Sequence, residues 1–353
     1  MKPSILFVLH LPPPTHGASM VGKYIHDSAL VRSLFDADFV NLTTSTALNA
    51  TGNIVKGTLS IQWRVLRALR RKRYDLCYVT LNASGKGFYK DLAIVMLLKL
   101  FRVPLIYHFH NKGVAGSGKK ALYRFAFRKA SVILLSDRLY PDIAEYVPRE
   151  RVSICPNGVP ASPVVSAPGP GFRMLFLSNM MASKGVYVLL EACALLRDLD
   201  FRCDFVGAWS DVSSADFESS VERLGLTGKI KAHGKQYGPD KEAFFRQADV
   251  FVFPTFYHNE CLPLVLLEAM QAGLPVISTP EGAIADVVLE GVTGLLVPQR
   301  DAVALSTAIR RVFSDAAERQ RMGGNGRERY EAHFTMEKFE TTFTDILKRQ
   351  THV

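Results

Sequence analysis

Residues 256–279 read FYHNECLPLVLLEAMQAGLPVIST, and this stretch decides the fold. Pro263 suits a first helical position, where its missing N–H would be unpaired in any case. The apolar run from Leu264 to Ala272 predicts a helix, and Gly273 predicts its stop. Strand-like runs flank it, ADVFVF at 248–253 and LPVIST at 274–279, so the segment reads as a β-α-β unit of an α/β sheet. Glu268 lies inside the apolar run LVLLEAM. A carboxylate there needs a partner, and a vicinal diol offers two hydroxyl donors. Glu260 lies in the loop ahead of the helix. There the backbone amides of Cys261, Leu262, Leu264 and Val265 can face an anion, with the helix dipole behind them. Diol, diphosphate and sugar hydroxyls are the parts of a nucleotide sugar. An isolated pair of glutamates at this spacing also fits a blander picture, an ion-paired Glu268 and a solvated Glu260.

Working outward, strand-like runs recur along the chain with helical patterns between most of them. The first half has ILFVLH, ADFVNL, YDLCYVTL, PLIYHF, SVILLS and RVSIC; the second has RMLFLS, FRCDFVG, KIKAHG, VFVFP, PVIST and GLLVP. Between the halves, Pro156 to Phe172 (PNGVPASPVVSAPGPGF) has the Pro, Gly, Ser and Ala content of a linker. Two doubly wound domains facing a central cleft are therefore expected, with ligands at the carboxyl ends of the strands. A chain of 353 residues agrees with two domains.

The quoted stretch resembles the signature of the retaining glycosyltransferases of family four, which have the GT-B fold. The matching residues are Pro254, Glu260, Glu268-Ala269-Met270, Gly273, Pro275-Val276-Ile277 and the later EGVTGLLVP, Glu290 to Pro298. The resemblance covers nearly the whole chain, more weakly in the first half. It implies an acceptor-side domain over 1–165, a nucleotide-sugar domain over 172–335, and a terminal helix over 336–353 that crosses back to the first domain. It implies transfer of a sugar from a nucleoside diphosphate sugar, UDP- ahead of GDP-linked, to an acceptor hydroxyl with retention. A metal ion and a cofactor are not expected.

Further residues enter through that resemblance. Glu268 would hold the ribose and Glu260 the sugar hydroxyls. In SNMMASKGVYVLLEA, Lys184 matches a family lysine on the donor diphosphate, while Asn179 stands where the family usually has arginine. Cys261-Leu262-Pro263 replaces a glycine-rich triplet, and Pro263 has no N–H to give. His110 matches a histidine near the transferred sugar; strand alternation places His108 on the same side, where a core histidine is the simpler reading. In PPPTHGAS, Gly17 permits close approach of a phosphate or sugar at a helix start, though an ordinary βα turn fits equally. Gly234 and Lys235, in KAHGKQYG, fall where family members rest the base. Asn157 and Gly158 read as a turn and hinge.

GVAGSGKK, Gly113 to Lys120, imitates a nucleotide-binding P-loop, but Lys120 stands where that motif needs Ser or Thr for magnesium. Its glycines read instead as a mobile loop over the cleft or near the acceptor. Five scattered cysteines without C-x-x-C spacing fit neither a zinc site nor a disulfide framework, and agree with a cytoplasmic setting. No run of eighteen apolar residues is present, and ILFVLH reads as a core strand, not a signal peptide. The net charge of +10 favours acidic partners. Nucleic acid is not among those expected, since no basic-aromatic module is present. SIQWRVLRALRRKR, Ser60 to Arg73, combines an apolar face with Arg64, Arg67, Arg70, Arg71, Lys72 and Arg73, a pattern that suits an anionic membrane surface. The same helix could equally cover a sheet, and KKALYRFAFRKA could extend the basic patch. The acceptor would be a glycan or lipid-linked glycan of bacterial polysaccharide or lipopolysaccharide synthesis. Two other classes remain open: a sugar-nucleotide 2-epimerase of similar architecture, and a non-catalytic module binding glycan or anionic lipid.

Overall fold

The computed structural model describes residues 2–43 and 51–351. The chain divides into two compact units, one made of Met1–Asn157 with Glu337–Val353, the other of Gly158–Met336.

In the first unit the strands are β1 (Ser4–Leu9), β2 (Asp36–Asn41), β3 (Leu76–Val79), β4 (Leu105–His108), β5 (Ser131–Leu134) and β6 (Val152–Ile154). They form one sheet in the order β2-β1-β3-β4-β5-β6, every pairing parallel. In the second unit, β7 (Phe172–Leu177), β8 (Phe201–Val206), β9 (Ile230–Ala232), β10 (Val250–Phe253), β11 (Val276–Ser278) and β12 (Gly294–Leu296) are ordered β12-β11-β10-β7-β8-β9, again all parallel. Each strand-like run read from the sequence is a strand. The central ones are buried on both faces, which is why they read as continuous apolar runs and do not alternate.

Both sheets are doubly wound. The direction of winding reverses between β1 and β3 in one and between β7 and β10 in the other. Loops leaving the carboxyl ends of such neighbours part to opposite faces and open a crevice. Residues after β1, β3, β7 and β10 are thus placed for binding by topology alone.

The helix after β10 spans Leu264–Gln271, with Pro263 as its N-cap at ψ 126° and Ala272 as its C-cap. Pro263 therefore sits one position ahead of the first helical turn it was read into. Either position leaves its missing N–H without cost, so sequence alone does not separate them. Gly273 follows at φ +76°, as the stop requires.

The Pro-rich stretch after Asn157 is tied to the second unit. The amides of Ser166 and Ala167 donate to the carbonyls of Ala272 and Arg246 at 2.8 Å each, and Val164 is buried. The terminal helix Met336–Gln350 packs, from Glu337 on, within the first unit. Phe343 meets Tyr78 edge-on at 5.3 Å, and Ser131 Oγ donates to Gln350 Oε1 at 2.7 Å.

Candidate active site

In the second unit the two switch-point loops meet through charge. Lys184, seven residues past the end of β7, forms an ion pair with Glu260, seven past the end of β10. Both side chains are largely covered, at 14% and 11% exposure. The ammonium also lies 4.5 Å from the centre of the Tyr257 ring and 5.6 Å from that of Phe253, two cation–π contacts that fix its height over the strand end. The local backbone is built for this approach. Gly185 has φ +90°, and a Cβ there would stand 2.3 Å from the Pro254 carbonyl oxygen, so only glycine lets the Lys184 turn rest on the β10 loop. On the other side, a Cβ at Gly282 would lie 2.4 Å from the Glu260 carbonyl oxygen, and the Ala283 amide donates to Cys261 O at 2.7 Å.

Cys261, Leu262 and Pro263 are buried between Glu260 and the helix; Leu264 and Val265 are half-buried at its first turn. Among the described residues no side chain caps this N-terminus. Its first-turn amides thus lack the side-chain acceptor that helix starts usually recruit. On the second turn, Glu268 Oε1 accepts from Lys241 Nζ at 2.6 Å, while Glu268 Oε2 is buried without a hydrogen-bond partner among the described residues. Asn179 is exposed just past β7. Gly234 sits past β9 at φ +65° and accepts from the Gly207 amide at 2.8 Å; exposed Lys235 lies 4.8 Å from the centre of the Tyr237 ring.

In the first unit, His110 follows β4 and lies tilted against His108, ring centres 4.2 Å apart. His108 is a core residue: its Nδ1 is 2.8 Å from Tyr78 Oη, and Phe343 lies against its ring. Two further histidines, missed in the sequence, share this end of the sheet. His10 leaves β1, and His16 caps the helix Gly17–Asp27 by accepting from the Ser19 amide. Burial, reinforced by Lys90, His16 and His110, pushes the His10 imidazole down to about 3; burial and His16 bring His110 down to about 3. Both are neutral near pH 7, and His10 Nδ1 and His110 Nε2 are buried without partners among the described residues. They are placed to accept or donate a hydrogen bond without bringing charge. Gly17 is the first residue of its helix, in open space, but the amide two residues on is already taken by His16.

The P-loop imitation is explained by its partner. The amides of Gly113, Val114 and Ala115 all donate to the Asp142 carboxylate, at 2.8, 3.1 and 3.1 Å. This nest holds the protein's own anion.

Helix Thr51–Arg71 buries Ile61, Val65 and Leu69 as a sheet-covering helix does, and leaves Trp63 58% exposed. Lys72 and Arg73 lie beyond its end. Lys72 pairs with Asp36 and Asp38, and Arg71 with Asp38, while Arg64, Arg67 and Arg70 are exposed. Among the described residues no group of three or more His, Cys, Asp or Glu is placed to hold a metal ion, and no helix is long and apolar enough to cross a membrane.

Residues 163–329 match the family model described as glycosyl transferases group 1. A D-inositol 3-phosphate glycosyltransferase of Arthrobacter sp. is 33% identical over 180 residues, 50% of this chain and 40% of that protein. The capsular polysaccharide biosynthesis glycosyltransferase CapM of Staphylococcus aureus is 27% identical over 184 residues, covering 50% and 47%. The chain thus spans less than half the length of these curated relatives. Among solved structures, Anabaena HepE in complex with UDP and glucose superposes with a TM-score of 0.76 at 19% identity, covering 98% of this chain and 99% of that one. The fold is that of the GT-B glycosyltransferases.

Proposed function

We propose that this protein is a retaining glycosyltransferase that moves a sugar from a nucleoside diphosphate sugar to an acceptor hydroxyl. The observation that carries the reading is the Lys184–Glu260 pair, set where the winding of the second sheet reverses and beside an uncapped helix start. Such a place takes an anion and a set of hydroxyls together. UDP is the proposed carrier, since the HepE structure of the same fold holds UDP. Glu268 takes the ribose diol and Glu260 the sugar hydroxyls. Lys184 and the amides of the Leu264–Gln271 helix receive the charge that develops on the leaving diphosphate. Neutral His110 steadies the sugar near its anomeric carbon. The leaving phosphate takes the acceptor proton on the face it vacates, so no enzyme nucleophile and no metal ion are required. The acceptor is a glycan or lipid-linked glycan of polysaccharide assembly, the setting in which the similar CapM is named. Peripheral docking on anionic membrane through Arg64, Arg67 and Arg70 fits that acceptor class.

A thermal-shift screen of nucleotide sugars, followed by transfer assays with the best donor, tests the reading. A stabilising UDP-sugar whose product keeps the donor's anomeric configuration is expected. An inverted product, or conversion of the sugar without transfer, overturns it.

A further inference from the structure

We propose that Lys241 is a donor-positioning residue, which neutralises Glu268 so that this carboxylate can take the ribose diol without repelling the diphosphate beside it. The inference rests on the donor reading above. A nucleoside diphosphate carries several negative charges, yet the residues read as its site include two carboxylates. Glu268 stands four residues into the helix from Leu264, about 6 Å along the axis at 1.5 Å per residue. That is inside the screening length of about 8 Å at physiological salt, so a diphosphate at the helix start feels a bare Glu268.

The structure answers each carboxylate with its own lysine. Lys184 takes Glu260, and Lys241, from the separate helix Gly238–Gln247, takes Glu268. Both members of the second pair are mostly covered, at 25% and 22% exposure, so their attraction is screened less than that of a fully exposed pair. The division of oxygens is specific. Oε1 accepts the ammonium at 2.6 Å, while Oε2 is buried and has no partner among the described residues, leaving an acceptor for hydroxyl donors. The aromatic ring of Phe245, one turn further along the same helix, lies 6.0 Å from the Lys241 ammonium. Asn179, neutral and exposed, supplies no further cation.

Affinity for UDP and for uridine separates this role from plain support of the fold. Both are measured on the full chain as wild type, K241M, K241R, E268Q and K241M/E268Q, with thermal unfolding to confirm that each variant is folded. Lys241→Met should weaken UDP binding roughly tenfold, a like-charge penalty, and change uridine binding less than twofold. Lys241→Arg should bind UDP as wild type. Adding Glu268→Gln to Lys241→Met should return UDP affinity to that of Glu268→Gln alone, above that of Lys241→Met, because the uncompensated charge is gone. Equal losses for UDP and uridine, or a double variant weaker than Lys241→Met, overturn the proposal. A Lys184→Met control is run in parallel. If it loses UDP while Lys241→Met does not, the inference on Lys241 fails alone. If UDP binds neither the wild type nor any variant, or binds Lys184→Met and Glu268→Gln unchanged, the donor reading fails and takes this inference with it.

Discussion

Replacing Lys184 by methionine keeps the stem of the side chain and removes its charge, and its consequences for stability and for chemistry can be told apart. The Lys184 and Glu260 side chains are 14% and 11% exposed, so the variant leaves a mostly covered carboxylate without this counter-ion. Breaking a fully buried pair from one side costs about 3–5 kcal/mol. The residual exposure lowers that to about 2–3 kcal/mol, or a fall of about 4–12 °C in the melting temperature at 2–4 °C per kcal/mol. The double variant Lys184→Met with Glu260→Gln should recover most of the loss, since a neutral amide tolerates the site. Turnover should behave differently. Removing a group that receives developing phosphate charge costs about two orders of magnitude or more, and neutralising Glu260 does not restore it. Differential scanning calorimetry and steady-state transfer, both on the single and double variants, read the two effects. Wild-type turnover in Lys184→Met would refute the phosphate role. A double variant no more stable than the single one would show that the pair is not what accommodates Glu260.

Glu268→Ala should weaken donor binding about a hundredfold or more, since two hydrogen bonds to a charged acceptor are lost at about 1.5–3 kcal/mol each; a 2′,3′-dideoxy nucleoside diphosphate should bind variant and wild type alike. After dialysis against excess EDTA, transfer should persist, and a complete loss rescued only by a divalent ion would point to another mechanism. His10 and His110 are held near 3, well below the free imidazole value of about 6.5, chiefly by burial. Their neutral forms therefore contribute stability that is fully present above pH ~6.5 and lost as pH falls toward 3, so the melting temperature should drop with acidification, less steeply in His10→Asn. The same values predict no step in turnover from His10 or His110 between about pH 5 and 8. Vesicles containing anionic lipid should sediment the protein in low salt and release it as salt rises, with Arg64→Ala/Arg67→Ala/Arg70→Ala weakening the effect; equal binding to neutral vesicles would remove the membrane proposal.

The strands were legible because parallel sheets covered on both faces need unbroken apolar runs, and this chain supplies them with loops between. Glu268 was legible because a carboxylate in an apolar helical run needs a partner, and Glu260 because it stands in the loop just ahead of that helix start. What the sequence could not say is which partner. Lys241 lies 27 residues from Glu268, and Lys184 lies 76 from Glu260; only the packing of separate elements makes either pair. His10 was within reach of sequence reasoning. It ends the run ILFVLH just as His110 follows PLIYHF, and the rule that singled out one strand-end histidine applies equally to the other. His16 was not, because its capping role depends on the turn that follows β1.

The two anion nests show why a motif needs its surroundings. GVAGSGKK has the glycines and the spacing of a phosphate loop, and three of its successive amides do converge on an anion. That anion is Asp142, at the end of the short 3-10 helix Asp137–Asp142 in the same unit, so the donors that would greet a phosphate are already satisfied. The start of the Leu264–Gln271 helix has a proline where glycine would be expected, and reads as the poorer nest. Yet no described side chain caps it, and a lysine and a glutamate stand beside it at the point where the sheet reverses. An amide is available to a ligand only when the fold has given it no internal acceptor. By that criterion the better-looking motif is closed, while the worse-looking one keeps a helix start without a side-chain cap, which is why we propose the donor site in the second unit.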